Sequence, residues 1–221
     1  MPEILTQAFD FIVKGGFMMI FIILCSVLAI VFFVERLLAL RQAKKCTEAL
    51  KDALLEAVAE NQIERAMTLC DAHPCALAAL AKAAISNRTL TREGIQEVVS
   101  DEARRQSVKL ERFIPTVGAI SSISPLLGLL GTVTGMISVF SSLADEYAAG
   151  SQANPGMLAG GIWEALITTA AGLCVAIPAF VMHRILNTQL DAVWLEIEAA
   201  TTAIVDLLAP APKQSHAADK K

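Results

Sequence analysis

The sequence predicts an all-α, polytopic membrane protein with three transmembrane helices, two of which are long and extend into the cytoplasm beside small cytoplasmic helices. Hydrophobic residues make up 55% of the 221 residues and the mean hydropathy is +0.56, whereas soluble domains are about 45–50% apolar. Three stretches are almost free of charge, and each is long enough to cross a bilayer core of about 30 Å, which takes roughly 20 helical residues. The net charge of −4 gives no indication of nucleic-acid binding.

Lysine and arginine are unevenly distributed between the segments that connect the three stretches. They flank residues 36–112 at both ends and follow the third stretch, at Arg36, Arg41, Lys44, Lys45, Arg104, Arg105, Lys109, Arg112 and Arg184. The loop 145–156 carries Asp145 and Glu146 but neither Lys nor Arg. Because positively charged residues stay on the cytoplasmic side of a membrane, we expect the N-terminus and this loop outside. Residues 36–112 and the C-terminus are then expected in the cytoplasm.

These observations set the predicted domain boundaries. We expect a periplasmic N-terminal segment at 1–15, transmembrane helices at 16–35, 113–144 and 157–183, a cytoplasmic helical domain at 36–112, a periplasmic loop at 145–156, a cytoplasmic C-terminal helix at 184–209 and a disordered tail at 210–221. The first transmembrane helix is expected to be retained, because Glu3 and Asp10 precede it against a single Lys14. A cleaved signal peptide has a positively charged leader instead.

Apolar residues recur at helical spacing in the segments outside the membrane. In 36–112 they favour several helices, interrupted at His73-Pro74 and at the turn-like segment 86–88, with a helix start at Thr91. We expect helices from this region to be continuous with the first and second transmembrane helices. After the third, an apolar stripe predicts an amphipathic helix that extends it inward, with Leu186, Leu190, Val193, Ile197, Ile204 and Leu208 on the stripe.

The cysteines agree with this topology. Cys46, Cys70 and Cys75 fall in the reducing compartment, and Cys25 and Cys174 lie within membrane helices. No disulfide framework is therefore expected. The group Cys70, His73 and Cys75 could suggest zinc, but it lacks a second ligand cluster. The sequence accordingly predicts neither a metal site nor a cofactor.

The second and third transmembrane helices are rich in small residues, unlike the bulky first one. Small residues allow membrane helices to approach closely, and the spacing of Gly131 and Gly135 is the minimal form of that pattern. Gly128 and Gly172 add to it on the two helices. We therefore predict that Gly128, Gly131, Gly135 and Gly172 mediate close helix packing.

Glu164 is the one acidic residue within the third apolar stretch. A charge at membrane depth costs at least about 2.5–3.5 kcal/mol, so such a residue should face a cavity or a partner. Thr168 lies one turn further on the same face, Thr169 is nearby, and Thr132 could approach from the second helix. These residues predict a hydroxyl-lined polar path with one titratable group. The alternative is a protonated glutamate that only specifies assembly.

Three helices, one of them facing lipid, cannot enclose a polar path, so we expect a homo-oligomer. Two segments then give a specific resemblance. Residues 124–137 (SPLLGLLGTVTGMI) and 160–179 (GGIWEALITTAAGLCVAIPA) resemble the signature of the ExbB/TolQ/MotA proton-channel family, in its ExbB/TolQ branch. Topology and length also resemble that branch along nearly the whole chain. Two departures are Trp163 and Thr168, where many members have alanine.

The resemblance implies a pentamer in the bacterial inner membrane around a dimer of ExbD-like single-span subunits, whose aspartate is the main proton carrier. By position, the family's functional residues fall on Thr132, Glu164 and Thr169. The implied role is the stator of a proton-driven motor that works with a TonB-like protein in outer-membrane transport. A TolQ-type role in the Tol-Pal system and a non-conducting scaffold are the alternatives. No motif of an enzyme is found.

Overall fold

A computed structural model describes residues 16–148 and 155–209. The regular structure of these residues is entirely helical, which confirms the predicted all-α fold class. The helices are α1 (Met18–Ala59), α2 (Ile63–Ala72), α3 (Ala76–Ser86), α4 (Arg92–Glu111), α5 (Ile114–Ala148) and α6 (Pro155–Leu208). The predicted segment 1–15, residues 149–154 of the predicted loop and the tail 210–221 lie outside the described residues.

The chain divides into two compact units. Among the described residues, the apolar unit comprises 16–36, 113–148 and 155–187, and the polar unit comprises 37–112 and 188–209. Helices α1 and α6 each contribute to both units, so two long helices extend beyond the apolar unit as the sequence predicts.

In the apolar unit, α1, α5 and α6 are each long and apolar enough to cross a membrane. One face of α1 packs on the other two helices, with Ile22 against Ile167 and Ala29 against Ile120 and Ala179. The opposite face of α1 leaves large apolar side chains exposed, at Ile20, Leu24, Val27, Val31 and Val34. Exposed apolar surface of this extent requires lipid or a partner protein, since soluble proteins rarely show it.

The polar unit has its own core, built from the apolar stripes that the sequence predicts. The buried residues include Leu50 and Leu54 of α1, Leu77, Leu80 and Ala84 of α3, Ile95 of α4, and Val193, Ile197 and Ile204 of α6. Ion pairs join the same helices: Lys44 of α1 lies 3.6 Å from Glu196 of α6, and Arg92 of α4 pairs with Asp206 of α6.

The helix boundaries of the polar unit follow local sequence signals. The Thr91 hydroxyl caps α4 by accepting a hydrogen bond from the amide of Gly94 at 3.3 Å, which confirms the predicted helix start. The predicted interruption at His73-Pro74 is also confirmed, because α2 ends at Ala72 and α3 begins at Ala76.

One expectation about helix continuity is wrong. The second apolar helix is not continuous with the helix before it, because α4 ends at Glu111 and α5 begins at Ile114. Phe113 adopts a left-handed conformation with φ of 66°, which is incompatible with a continuous helix. Pro115 cannot donate a backbone hydrogen bond and is therefore suited to the first turn of a new helix.

Candidate functional site

Glu164 lines a cavity of about 360 Å³ within the apolar unit. The carboxylate is half-buried, and the cavity walls come from the start of α1, the middle of α5 and the first half of α6. The lining residues other than Glu164 are Gly16, Phe17, Met18, Gly131, Thr134, Gly135, Ser138, Val139, Gly161 and Thr168. The predicted titratable residue therefore does face a cavity rather than the apolar side of its helix.

Three hydroxyl groups share this cavity with Glu164, from Thr168, Thr134 and Ser138. Thr168 donates its proton to the carbonyl of Ala165 at 2.7 Å, and Thr134 donates to the carbonyl of Leu130 at 3.0 Å. A hydroxyl has a single proton but two lone pairs. Because both protons are used on the backbone, the two threonine oxygens can accept a hydrogen bond from a protonated carboxyl group or from water.

Gly16 closes the cavity beside the carboxylate. Its φ is +62°, and a Cβ atom at this position would collide with Oε1 of Glu164. Glycine adopts this left-handed conformation without strain, whereas other residues pay a steric cost. Both the backbone conformation and the available space therefore favour glycine where the chain enters α1.

Thr132 and Thr169 lie elsewhere. Thr132 donates to the carbonyl of Leu129 at 2.7 Å, and neither threonine is among the described residues that line the Glu164 cavity. Thr169 instead donates its hydroxyl proton across to α5, to the carbonyl of Gly128 at 3.0 Å. Thr169 thus joins α5 and α6 directly, and the assignment of Glu164, Thr132, Thr168 and Thr169 to a proton path stays a prediction.

The predicted packing glycines lie in the contact between α5 and α6. A Cβ atom on Gly128 would lie 2.9 Å from the carbonyl oxygen of Thr168, and one on Gly172 would lie 2.6 Å from that of Ser124. A Cβ on Gly131 would overlap the Thr168 hydroxyl, and one on Gly135 would be 3.1 Å from the Cβ of Ala165. All four positions therefore place one helix backbone against the other helix.

Sequence reasoning missed Gly16, Thr134 and Ser138 as neighbours of Glu164. A signal for the last two exists in the chain, since Gly131, Thr134, Gly135 and Ser138 follow the i, i+3, i+4, i+7 spacing of one helix face. That face carries two packing glycines, so its hydroxyl groups must also point toward the neighbouring helix. No comparable pattern marks Gly16.

The charged groups near Glu164 are few. Among the described residues that line its cavity there is no Lys, Arg or His. Within 16–148 and 155–209, no group of three or more His, Cys, Asp or Glu side chains is arranged to hold a metal ion. The described lining of this cavity thus presents one carboxylate beside three hydroxyl groups.

Comparison with known proteins gives two kinds of match. A sequence model described as the MotA/TolQ/ExbB proton channel family matches residues 72–199. The ExbB-like 1 protein of Synechocystis sp., whose name assigns it to biopolymer transport, is 31% identical over 210 residues, covering 94% of this chain and 82% of that protein.

Two further relatives match shorter regions. The Tol-Pal system protein TolQ of Haemophilus influenzae is 36% identical over 101 residues, which cover 46% of this chain and 42% of that protein. The biopolymer transport protein ExbB of Salmonella typhimurium is 36% identical over 111 residues, which cover 45% and 41%. This chain thus matches less than half the length of both relatives. The family model covers more than half of this multi-pass membrane protein and one relative aligns along almost all of it, so the chain belongs to the MotA/TolQ/ExbB proton channel family.

Proposed function

We propose that this protein is the stator subunit of an ExbB-type motor in the bacterial inner membrane, in which Glu164 lines the path of protons that drive outer-membrane transport. The observation that carries the proposal is the Glu164 cavity, where one carboxylate meets the hydroxyl oxygens of Thr134 and Thr168 between apolar helices. A carboxylate at membrane depth is energetically costly, and ionisable residues at such positions commonly mark ion or proton pathways. Its membership of a proton-channel family supports that function over an enzymatic one.

The proposed assembly is a homo-oligomer, most simply a pentamer, around a dimer of ExbD-like single-span subunits. Its support is the apolar surface that the single chain leaves uncovered on both helices beside Glu164. Leu129, Val133, Ile137 and Phe140 form an exposed row on α5, and Trp163, Leu166, Ile177 and Phe180 are exposed on α6. Lipid can cover some of this surface, but a polar path needs protein on its remaining side.

A central partner would also supply what the Glu164 cavity lacks. None of its described lining residues carries a positive charge or a second carboxylate. A single-span partner with its own aspartate could exchange protons with Glu164 through water and the hydroxyl oxygens. The proposed boundaries of the membrane and cytoplasmic segments remain those derived from the sequence, with residues 36–112 and 184–209 in the cytoplasm.

A TolQ-type role is the second candidate, because a Tol-Pal system protein is among the relatives at 36% identity. A deletion strain separates the two roles. For the ExbB-type role we expect deletion to abolish uptake of a TonB-dependent outer-membrane substrate and the chain to restore it, with restored uptake eliminated by a protonophore. Sensitivity to detergent and leakage of periplasmic protein, with normal uptake, would support the TolQ-type role instead. Restored uptake that resists the protonophore would contradict a proton-driven motor of either type.

The proposed topology makes a separate prediction about accessibility. In intact cells, a membrane-impermeant maleimide should label a Ser151→Cys variant but should leave Cys46 unlabelled until the membrane is opened. The reason is that the loop 145–156 lacks Lys and Arg, whereas Cys46 follows four basic residues. A variant with Cys46 as its one cysteine is the matched control. Labelling of Cys46 but not of position 151 in intact cells would reverse the topology.

A further inference from the structure

A second cavity, of about 650 Å³, lies within the polar unit, remote in the sequence from Glu164. It is bordered by α1, by the connection between α2 and α3, and by the end of α4. Three of the five cysteines line it: Cys46 of α1, Cys70 of α2 and Cys75 at the N-terminal cap of α3. Three thiols, from α1, from α2 and from the cap of α3, therefore line one cavity. The proposed motor function does not use their chemistry.

Two of these thiols are in direct contact. The side chains of Cys46 and Cys75 are hydrogen-bonded to each other, although the residues belong to separate elements of the fold. Both are half-buried, so small molecules in the cavity can reach them, whereas Cys70 is buried. The Cys46 and Cys75 thiols are therefore close to each other and accessible to small molecules.

The surrounding backbone holds Cys75 in place. The amide of Cys75 donates to the carbonyl of His73 at 2.8 Å, and the ring of His73 bonds the carbonyl of Leu69 at 3.2 Å. Beside this connection, Lys82 of α3 lies 2.6 Å from Asp71 of α2. These contacts fix the connection between α2 and α3, so the contact between Cys75 and Cys46 is not left to a free loop.

The three thiols differ in reactivity. Burial raises the pKa of Cys46 to about 12, with further contributions from the hydrogen bond and the charge of Cys75. Burial also raises the pKa of Cys70 to about 11, with Asp71 adding to the shift. Since the thiolate is the nucleophile, burial disfavours Cys46 and Cys70 as the thiol that reacts first with an oxidant. We assign that first reaction to Cys75, which is half-buried and lines the same cavity.

We propose that Cys75 and Cys46 form a reversible thiol–disulfide modification site whose oxidant is a peroxide. The Cys75 thiolate attacks one peroxide oxygen, the O–O bond breaks, and with one proton taken up the products are a sulfenic acid and water. The Cys46 sulfur then displaces the sulfenic oxygen, which leaves as a second water with the thiol proton. In total two thiols and one hydrogen peroxide give one disulfide and two waters.

The consequence of oxidation is a covalent bond between α1 and the start of α3. The bond would close a loop that contains α2, and a cross-link of this kind stabilises a fold by restricting its unfolded state. In a reducing compartment the pair stays as two thiols, and a rise in peroxide would convert it. The site would thereby couple the stiffness of the polar unit to the redox state of its surroundings.

The test uses the full-length protein in detergent micelles, treated with hydrogen peroxide and then unfolded in the presence of an alkylating maleimide. We expect peroxide to reduce the number of alkylated cysteines by two, and a thiol reductant to restore both. Peptide mapping without reduction should find the peptide of Cys46 linked to that of Cys75. The apparent melting temperature should rise on oxidation.

Matched variants give the controls. Cys46→Ser and Cys75→Ser should each prevent the loss of two thiols, whereas Cys174→Ser, in the apolar unit, should leave the response intact. Mapping of the unmodified protein keeps the test decisive if a serine variant folds poorly. A link from Cys75 to Cys70, a disulfide between two copies of the chain, or no change in alkylation under peroxide would each overturn the proposal.

Discussion

Glu164→Ala is expected to abolish proton-driven transport while the oligomer stays assembled. The substitution removes the Glu164 carboxylate, and the other described residues that line the cavity include no acidic or basic side chain. Moving one charge through 100 mV yields about 2.3 kcal/mol, so loss of the proton-binding group removes the step that captures this energy. Uptake of an outer-membrane substrate should fall to the level of a deletion strain, and native mass spectrometry should find the oligomer unchanged.

Glu164→Gln is the informative companion to this variant. The amide nearly preserves the shape and hydrogen bonding of the carboxyl group but cannot ionise. We therefore expect Gln to be as inactive as Ala. Full activity of Glu164→Gln would reduce Glu164 to a structural role, and dissociation of the Glu164→Ala oligomer would support the scaffold alternative.

Threonine variants allow the contribution of the hydroxyl groups to transport to be compared with that of the carboxylate. Thr132→Ala and Thr169→Ala should each impair transport less than Glu164→Ala, because a hydroxyl orients a proton path but holds no charge. Thr169→Ala also breaks the hydrogen bond to the Gly128 carbonyl, and side-chain hydrogen bonds between membrane helices average only about 0.6 kcal/mol. Thr169→Ser, which keeps that bond, should be close to the unmodified protein. Equal loss of transport in all three alanine variants would contradict a special role of the carboxylate.

The three apolar helices could be predicted from the hydropathy summed over a short window of sequence. The apolar stripes of the polar unit could be predicted from the helical spacing of their apolar residues. Hydropathy over a window does not require knowledge of what a helix contacts. The start of α4 at Thr91 was predictable for the same reason, since a cap involves a residue and its near neighbours. The unusual character of Glu164 is also local, as a carboxylate within an apolar run.

The surroundings of Glu164 could not be predicted in the same way. Which residues of α5 face it depends on the rotation of that helix, and one residue turns a helix by about 100°. The sequence indicated Thr132, whereas Thr134 and Ser138 are the α5 hydroxyl residues that line the cavity. That rotation is coupled to contacts such as that of Gly131 with Thr168, which joins positions far apart in the chain. The left-handed Phe113 that separates α4 from α5 was equally unpredictable, because bulky residues rarely adopt that conformation.

The second large effect is expected at the contact between α5 and α6, from Gly172→Ala. A Cβ atom there would lie 2.6 Å from the carbonyl oxygen of Ser124 and 3.1 Å from Cα of Gly128. Both are backbone atoms, so no side-chain rotation can relieve the overlap. The two helices must move apart, and overpacking of this kind costs about 1–3 kcal/mol.

Gly160→Ala is the matched control, because it is the same change in the same helix. Apart from the adjoining backbone of its own helix, no heavy atom of the described residues lies within 4 Å of the place where its Cβ would be. Alanine is favoured over glycine in a helix by about 1 kcal/mol, so this variant should be at least as stable as the unmodified protein.

We expect a lower apparent melting temperature for Gly172→Ala alone, with both variants and the unmodified protein measured in the same detergent. Separation of α5 from α6 would also stretch the hydrogen bond from Thr169 to Gly128 and move Thr134 and Ser138 of α5 away from Glu164. Gly172→Ala should therefore lose transport although every polar residue of the site is retained. Equal melting temperatures for the two variants would show that α5 and α6 are not in backbone contact at Gly172.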